Sequence, residues 1–467
     1  MAKKGYELQG SILKVPKYES EITESIEKRI AIGKSMRESV PRESHGEWVP
    51  PSNRRDPIDI LIESNAGRIE ELIPIRHGRM ALSPFTFLRG SASVMASDLS
   101  ITPKTGHNVQ ICGDCHLSNF GLFATPERNL IFDVNDFDET IPGPWEWDLK
   151  RLAASVYVAY SVSGLSAKDA YTLTVKCVQA YRQAMRRGAG MSALDIWYMQ
   201  FDIKSILEVF ESEIVQKRVK MADQIARERV NKYLFPKLTE EVGGKKRFLD
   251  EPPLLVHLRD KKIIDTMIQT LEQYRESMPH EKRVLLDRYE FQDMALKVVG
   301  VGSVGTRCAV ILLSASENDN LILQIKEAKS SVLEPYVEKS AYENNGQRVV
   351  VGQKIMQSAS DVLLGWTKIR DRDYYVRQLK DMKVSAVIEN QPYEMAEAYV
   401  TICGWTLAKA HARSGDPAII GGYLGKGTTM DYALADFAKD YCQQTIEDHE
   451  ALLDAIESGR IEAKNDL

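Results

Sequence analysis

The sequence predicts an α+β fold with a small antiparallel sheet late in the chain and a larger helical part built from both ends. Residues 294–313 read as two apolar strands joined by a glycine-rich turn. Apolar positions recur at helical spacing from about residue 148 to 230 and again over residues 399–410. Two further apolar runs, 108–112 and 130–134, enclose a polar segment. That polar segment is therefore predicted to lie at one edge of a small sheet.

Composition limits the classes of partner. The 467 residues are 43% hydrophobic and 27% charged, typical of a globular chain with two or three domain-sized units. A net charge of −5 provides no basic field for nucleic acid or for an anionic membrane. No apolar run approaches the roughly 18 residues that span a bilayer. Scattered cysteines, and a start without the apolar core of a signal peptide, predict a cytoplasmic protein. The sequence does not indicate its oligomeric state.

Changes in composition divide the chain into four segments. Residues 1–72 are polar and broken by prolines, and we expect an N-terminal arm there. Residues 73–285 carry the polar segment and the first helices, and residues 286–385 carry the glycine-rich strands and end in a linker near Met382. Residues 386–467 return to helical periodicity. We therefore expect a small strand-rich lobe between two parts of one helical lobe.

The polar segment carries the clearest chemical pattern. Asp114 is followed by four residues and then Asn119, and further aspartates follow at Asp133, Asp136 and Asp138. This is the spacing of a phosphoryl-transfer loop, in which the first Asp accepts a hydroxyl proton, Asn holds a metal ion and a later Asp binds Mg²⁺. We expect Asp136 to be that later ligand, with Asp133 and Asp138 as the other candidates. Packing alone does not explain so many carboxylates in one short stretch.

The glycine-rich turn predicts a phosphate-binding loop. Its G-x-G-x-x-G pattern lets backbone amides approach phosphate oxygens. The residues after it are β-branched and apolar, which favours a kinase-type loop over a dinucleotide-binding fold. The expected phosphate contacts are Gly300, Gly302, Ser303 and Gly305. Lys326 on the next strand is expected to reach the nucleotide phosphates. Candidates for its acidic partner are Glu334, Glu338 and Glu343.

Positive side chains precede the polar segment. Arg76, Arg79 and Arg89 can bind phosphate or carboxylate bidentately, and with His116 they form a weaker set of expected substrate contacts. In the alternative interpretation, these arginines pair with the chain's own Asp and Glu side chains. Both interpretations stay open at this point, because structural ion-pair networks look the same in sequence.

The polar segment also resembles a known loop. The run from Gly113 to Asn119 resembles the His-Gly-Asp-x-His-x-x-Asn loop of aminoglycoside and choline kinase-like phosphotransferases, with Cys112 in place of the first His. Trp147-Asp148-Leu149 is similar to the Asp-Leu-Ala that follows their metal-binding Asp. The resemblance implies a protein-kinase-like fold with two lobes.

A second resemblance covers most of the chain. Residues 76–151 and 324–416 resemble an uncharacterised bacterial family, the domain of unknown function 2252, which brings no established activity. In the kinase-like proteins, a helix ending Leu-His-Ala lies immediately before the catalytic loop. Here the corresponding helix ends at His411, and Lys326 follows Asp114 instead of preceding it. This order implies a circularly permuted kinase-like fold.

The kinase-like resemblance implies an ATP- and Mg²⁺-dependent phosphotransferase that acts on a hydroxyl acceptor, more readily a small molecule than a protein. Asp114 would be the base, Asn119 and Asp136 would bind the metal, and Lys326 would bind the nucleotide phosphates. Two alternatives stay open. One is nucleotidyl transfer on the same fold, and the other is a nucleotide-binding interaction module without activity.

Cys112 and Cys115 allow a different interpretation. With His116 they complete C-x-x-C-H, the attachment motif of a c-type haem. That attachment requires export, for which we find no signal in the sequence. A redox pair or half of a zinc site is also disfavoured, because the remaining cysteines are isolated and offer no second pair.

Overall fold

The computed structural model describes residues 24–228, 235–236, 238–259, 261–298, 300–379 and 382–464. Within these residues the chain is a mixed α+β structure with several antiparallel sheets, which confirms the predicted class. Residues 1–23 of the expected arm, residue 299 of the glycine turn and residues 380–381 of the expected linker lie outside the described residues. The described part of the arm contains the helices Ile26–Ser39 and Pro57–Ser64.

Two small sheets carry the polar segment. Their strands are β1 (Asn108–Ile111), β2 (Phe120–Ala124), β3 (Leu130–Val134) and β4 (Ile141–Pro144). β1 pairs with β4, and β2 pairs with β3, both antiparallel. Val109, Ile111 and Val134 are fully buried, so burial of apolar surface stabilises these short strands. The β1–β2 loop lies against the β3–β4 loop, but the two predicted strands β1 and β3 belong to different sheets and not to one.

A hairpin and a six-stranded antiparallel sheet follow. The hairpin strands are β5 (Thr239–Val242) and β6 (Lys245–Phe248). The sheet contains β7 (Leu255–His257), β8 (Glu290–Lys297), β9 (Cys308–Ser316), β10 (Asp319–Ala328), β11 (Gly365–Ile369) and β12 (Arg372–Gln378), in the order β11-β12-β10-β9-β8-β7. A last short strand, β13 (Val384–Ser385), pairs with β2. Gly243 and Gly244 both adopt positive φ and close the two-residue turn of the hairpin β5–β6.

The strands of the large sheet are buried on both faces. On one face Ile311 and Leu323 pack with Tyr274 of the helix Lys261–Glu276. On the other face, side chains of β9 and β10 pack with those of β6 and β7. Burial on both faces explains why the sequence of β9 is a nearly continuous apolar run without alternation. The helix Asn345–Met356 connects β10 to β11.

Helices form the rest of the described chain. They are Ile73–Ala81, Pro84–Gly90, Ala92–Ser100, Trp145–Val162, Ala167–Gly188, Ala193–Tyr198, Ile203–Val209, Glu213–Glu228, His280–Leu286, Tyr393–Ala412, Pro417–Leu424 and Thr429–Glu457. The buried helix Trp145–Val162 packs against Ala167–Gly188 and Thr429–Glu457, so this core draws on both ends of the chain. Among the described residues, no helix combines the length and the apolar composition needed to cross a membrane.

The helix Trp145–Val162 begins directly after Pro144, slightly before the helical spacing that the sequence showed from about residue 148. Proline is favoured at such a boundary because its fixed φ suits the start of a helix. Asp148 therefore lies inside the first turn, where its carboxylate is available for a loop of another element.

The helix Tyr393–Ala412 ends beside β1. The backbone N–H of Gln110 donates to the hydroxyl of Ser414 at 2.9 Å. Gly415 packs so closely on Val109 that any side chain at this glycine would collide with it. The end of a late helix and the start of the polar segment are therefore direct neighbours in space.

Lys150 is buried in the helical core without a compensating carboxylate bond. Its Nζ lies 4.7 Å from the ring centroid of Phe437 and has no hydrogen-bond partner among the described residues. Burial lowers the pKa of Lys150 to about 7, although Glu146 opposes the shift. The folded chain therefore releases a proton that the unfolded chain keeps to about pH 10.4.

Replacing Lys150 by methionine should stabilise the protein most at pH 7 and below. Between pH 7 and about 10.4 the unfolded state binds the extra proton, so wild-type stability rises with pH by at most about 1.4 kcal/mol per unit from this group. The melting temperature of Lys150→Met minus that of wild type, measured from pH 6 to 10, should be constant up to pH 7 and then shrink. A difference that is independent of pH would contradict this account.

Candidate active site

A cavity of about 480 Å³ lies where the two small sheets meet the glycine turn of the large sheet. Its volume is in the range of small-molecule sites, roughly 300–1,000 Å³. The residues that line it include polar side chains and two glycines of the turn: Arg68, Arg76, Arg89, Asp114, His116, Asn119, Asp136, Asp138, Glu139, Gly300, Gly302 and Ser303. Most of the positions selected from sequence therefore line one cavity.

Asp114 is oriented through one of its carboxylate oxygens. Nε of Arg151, on the helix Trp145–Val162, donates to Oδ1 at 2.7 Å. The other oxygen, Oδ2, lies 3.8 Å from Nε2 of His116. Burial raises the pKa of Asp114, although Arg151 and Arg89 oppose the shift. A carboxylate held by one oxygen keeps the other for a substrate hydroxyl, and a raised pKa suits it to accept a proton.

The loop that carries Asp114 is held by Asp148. The carboxylate of Asp148 accepts the backbone N–H groups of Cys112 at 2.8 Å and Gly113 at 2.9 Å. Nε2 of His411 lies 3.2 Å from the same carboxylate. Gly113 adopts a φ of +81°, and a side chain there would collide with the backbone of Glu139. Asp148 therefore supports the Asp114 loop, and the side chain of Cys112 does not.

Asn119 and Asp136 present oxygens to the cavity. Nδ2 of Asn119 donates to the backbone oxygen of Asp114 at 2.6 Å, which leaves the amide oxygen for a ligand. Burial and the neighbouring Asp138 raise the pKa of Asp136, although Lys326 opposes the shift. The Asp136 carboxylate and the Asn119 amide oxygen are oxygen ligands of the kind that Mg²⁺ prefers. These residues therefore fit a magnesium site.

Asp133, another expected metal ligand, lies outside the cavity. Its carboxylate forms a buried ion pair with Lys409. It also accepts hydrogen bonds from the backbone and the hydroxyl of Ser358, both at 3.0 Å. Asp133 therefore ties β3 to the helix Tyr393–Ala412 and is not available to a metal ion in the cavity.

Lys326 reaches the polar segment through Asp138. Nζ of Lys326 forms an ion pair with Oδ2 of Asp138. The Tyr375 hydroxyl donates to Oδ1 at 2.9 Å, and the Ser303 hydroxyl donates to Oδ2 at 3.2 Å. Burial opposes both charges, yet the pair lowers the pKa of Asp138 and raises that of Lys326. Both groups therefore stay charged at neutral pH.

The acidic partner of Lys326 differs from the expected one. The sequence offered Glu334, Glu338 and Glu343, all of which precede the helix Asn345–Met356. That helix contributes Arg348, which donates to the backbone oxygens of Asp138 at 2.8 Å and Thr140 at 2.6 Å. Arg348 thus fixes the backbone of the loop in which Asp138 lies, and this loop places Asp138 in contact with Lys326.

Side chains from the segment before the polar loop hold the glycine turn in place by hydrogen bonds. Gly300 and Gly305 have φ values of +71° and +86°, which residues with side chains rarely adopt. Arg68 donates to the backbone oxygen of Val304 at 2.6 Å. Arg79, an expected substrate contact, donates to the backbone oxygen of Gly300. These bonds position the turn over the cavity.

His116 is neutral at neutral pH. Burial, together with Arg89 and Arg151, holds its pKa well below the usual value. Its Nδ1 is buried and has no hydrogen-bond partner in the part of the chain that the structure describes. A neutral His116 can donate a hydrogen bond to a ligand but does not add charge to the cavity.

Cys112 and Cys115 lie in the core beside the Asp114 loop. Their sulfurs and an oxygen of Asp148 all lie within 4.8 Å of one another. Burial raises the pKa of both thiols, to about 11 for Cys115, so both are protonated at neutral pH. Both Asp148 oxygens already accept loop N–H groups. The two cysteines therefore act as packing residues in this arrangement.

Sequence reasoning missed Arg151 and Tyr375. Arg151 lies three residues after Asp148 on one helix, so both side chains face the same loop, and that spacing is a signal that was available. Tyr375 lies opposite Lys326 in the ladder of β10 and β12. That register depends on strand pairing across the helix Asn345–Met356, and no local pattern reports it.

The family comparison covers the cavity lining except for Glu63, Ser64 and Ala66. Residues 68–455 match the model of DUF2252, described as an uncharacterized protein conserved in bacteria. No curated protein and no solved structure matches the chain.

Replacing Asp136 by asparagine should raise the melting temperature of the protein in EDTA, because it removes a buried carboxylate beside Asp138. Mn²⁺ or Mg²⁺ should then stabilise wild type and have little effect on Asp136→Asn. Thermal unfolding with and without metal measures both effects.

Asp133→Asn is the matched control. It leaves Lys409 buried without its partner, so we expect destabilisation of about 3–5 kcal/mol in EDTA and in metal alike. Equal metal-dependent stabilisation of wild type and Asp136→Asn would show that the metal does not bind at Asp136.

Proposed function

The chain belongs to the DUF2252 family, and because that description assigns no activity, we propose its function from the site: an ATP- and Mg²⁺-dependent phosphotransferase acting on a hydroxyl acceptor. One observation carries the proposal. Asp114 and Asp136 line one cavity under a glycine turn, and Lys326, on a strand distant in sequence, forms an ion pair with Asp138 of the same cavity lining. Phosphoryl transfer requires this combination of base, metal ligand, lysine and glycine loop.

The strand order of the large sheet supports a kinase-like small lobe. The glycine turn joins β8 to β9, Lys326 lies on β10, and one helix follows before β11. In protein kinases the glycine loop lies over the phosphates, and the lysine lies on the third strand. Counting from β8, β10 is the third strand. The departure is Arg348, which stands on the helix where a kinase has the glutamate that pairs with its lysine.

We propose that this fold is a circular permutation of the kinase-like arrangement. Ser414, just beyond the helix Tyr393–Ala412, bonds to Gln110 of β1. A connection from that helix to β1 would place the helix directly before the Asp114 loop, as in the kinase-like order. Permutation preserves a fold when the joined ends are neighbours, because the same contacts form whichever loop is cut.

Each residue has a defined role in this reaction. Asp114, held by Arg151, accepts the acceptor's proton as the acceptor oxygen bonds to the γ-phosphorus and the bond to the ADP oxygen breaks. Lys326 binds the nucleotide phosphates. Asn119 and Asp136 would hold Mg²⁺, which neutralises phosphate charge when bound. The glycine turn excludes side chains from the phosphate oxygens.

Mg-ATP should stabilise the wild-type protein by about 2.7 kcal/mol at 100 times its dissociation constant. Lys326→Arg keeps the charge that Asp138 requires but changes the donor geometry, so it should fold and show a smaller ATP-dependent rise in melting temperature. Asp114→Asn should keep the full rise, because Asp114 does not bind the nucleotide. Absence of any rise in wild type, or an equal rise in Lys326→Arg, would contradict the nucleotide site.

Transfer is tested with ATP labelled at the γ- or the α-phosphate, incubated with pools of hydroxylated metabolites and with protein extract. We expect γ-label in a small molecule and a loss of about 10²–10⁴-fold in Asp114→Asn, the usual contribution of a general base. Transfer of the α-label would identify a nucleotidyl transferase instead. ATP binding without transfer of either label would leave a binding module and contradict the phosphotransferase.

A further inference from the structure

Three arginines line the cavity from the segment before the polar loop: Arg68, Arg76 and Arg89. Arg76 donates to the backbone oxygen of Gly90 at 2.9 Å, so it lies beside the residue that follows Arg89. Among acidic residues, Asp114 acts most strongly on the Arg89 guanidinium. This positive cluster therefore adjoins the proposed base.

The hydrogen-bond partners of Arg68 and Arg76 are neutral. Arg68 donates to the backbone oxygens of Ser64 at 3.1 Å and Val304 at 2.6 Å. Arg76 donates to the Ser64 hydroxyl at 3.1 Å and to Oδ1 of Asn65 at 2.5 Å. Neither guanidinium forms an ion pair with a carboxylate of the described residues. The alternative raised by the sequence, pairing with the chain's own acids, therefore does not apply to Arg76.

Nε of the Arg89 side chain is buried and has no hydrogen-bond partner among the described residues. Other buried polar atoms around the same cavity also lack a partner there. They are Nε of Arg76, Nδ1 of His116 and Oγ of Ser93. Arg76 and Arg89 therefore line the cavity with donor groups that the folded chain leaves in part unsatisfied.

Two other largely buried arginines, Arg182 and Arg54, do have carboxylate partners. Arg182 forms two bonds to Asp431, at 2.8 and 2.7 Å. Arg54 bonds to both Asp98 and Asp448. Burial lowers the pKa of each cavity arginine because no counter-charge is bound to it. An anion in the cavity would supply that missing charge.

We propose that the phosphoryl acceptor carries an oxyanion, a phosphate or a carboxylate, which binds between Arg76 and Arg89 beside Asp114. That the bound molecule is the phosphoryl acceptor rests on the proposed function, whereas the oxyanion site rests on the cavity alone. Arginine is suited to both groups because its planar fork matches their oxygens. The site is separate from Lys326, whose charge is balanced by Asp138 and Asp136.

The oxyanion site is tested without nucleotide, by the rise in melting temperature with inorganic phosphate or acetate at constant ionic strength. Arg89→Gln is the main variant, since the buried Nε of Arg89 makes no hydrogen bond within the described residues. Phosphate also stabilises proteins generally by exclusion from their surface, and that effect should be equal in variant and wild type. We expect an additional rise in wild type that is lost in Arg89→Gln and in Arg76→Gln and retained in Lys326→Arg.

The probe with the larger Arg89-dependent rise identifies the group as phosphate or carboxylate. Equal rises in wild type and Arg89→Gln for both probes would overturn the oxyanion site. A rise lost in Lys326→Arg and kept in Arg89→Gln would also overturn it, because the anion would then occupy the nucleotide phosphate position.

The acceptor is tested with γ-labelled ATP and three pools of hydroxylated compounds that are anionic, neutral or cationic. We expect labelling in the anionic pool and its loss in Arg89→Gln, with ATP-dependent stabilisation unchanged. Labelling in the neutral or cationic pool alone would overturn the anionic acceptor and leave the phosphotransferase standing. No labelling in any pool, together with an Arg89-dependent phosphate rise, would overturn the phosphotransferase and support the oxyanion site.

Discussion

The ion pair between Lys326 and Asp138 is the contact on which the site depends. It joins the central strand β10 of the large sheet to the loop after β3, two parts of the chain that are far apart in sequence. A buried ion pair is favourable only when further hydrogen bonds satisfy its remaining oxygens. Tyr375 and Ser303 supply those bonds, and Ser303 belongs to the glycine turn. One carboxylate therefore sets the positions of lysine, turn and loop together.

Two further side chains hold the loops in place through hydrogen bonds to their backbones. Asp148 accepts the N–H groups at the start of the Asp114 loop, and Arg348 donates to the carbonyl groups after Asp138. The negative Asp148 accepts from N–H groups and the positive Arg348 donates to carbonyl groups, so each satisfies backbone groups that the loop leaves unpaired. Both supports are buried, so the cavity is held in shape before a ligand binds, as catalysis by charge stabilisation requires.

Sequence patterns were sufficient where residue type and spacing both carry chemistry. Asp114, Asn119, the glycine turn and Lys326 could be selected in this way, and the strands around them follow from apolar runs. The partner of Lys326 could not be predicted, because it depends on how one loop packs against β10. Asp133 and Asp136 also look alike in sequence. Packing separates them, since Asp133 lies on a buried strand opposite Lys409 and Asp136 lies beyond the strand's end.

We propose that a nucleotide and its metal bind between the glycine turn and Asp136. The most direct measurement is a crystal structure with Mn²⁺ and a non-hydrolysable ATP analogue, in which anomalous scattering locates the metal. We expect an anomalous peak at the oxygens of Asn119 and Asp136, with the phosphates beneath the turn at Gly300 and beside Lys326. An anomalous peak and phosphates elsewhere on the protein, with this cavity unchanged at saturating analogue, would contradict it.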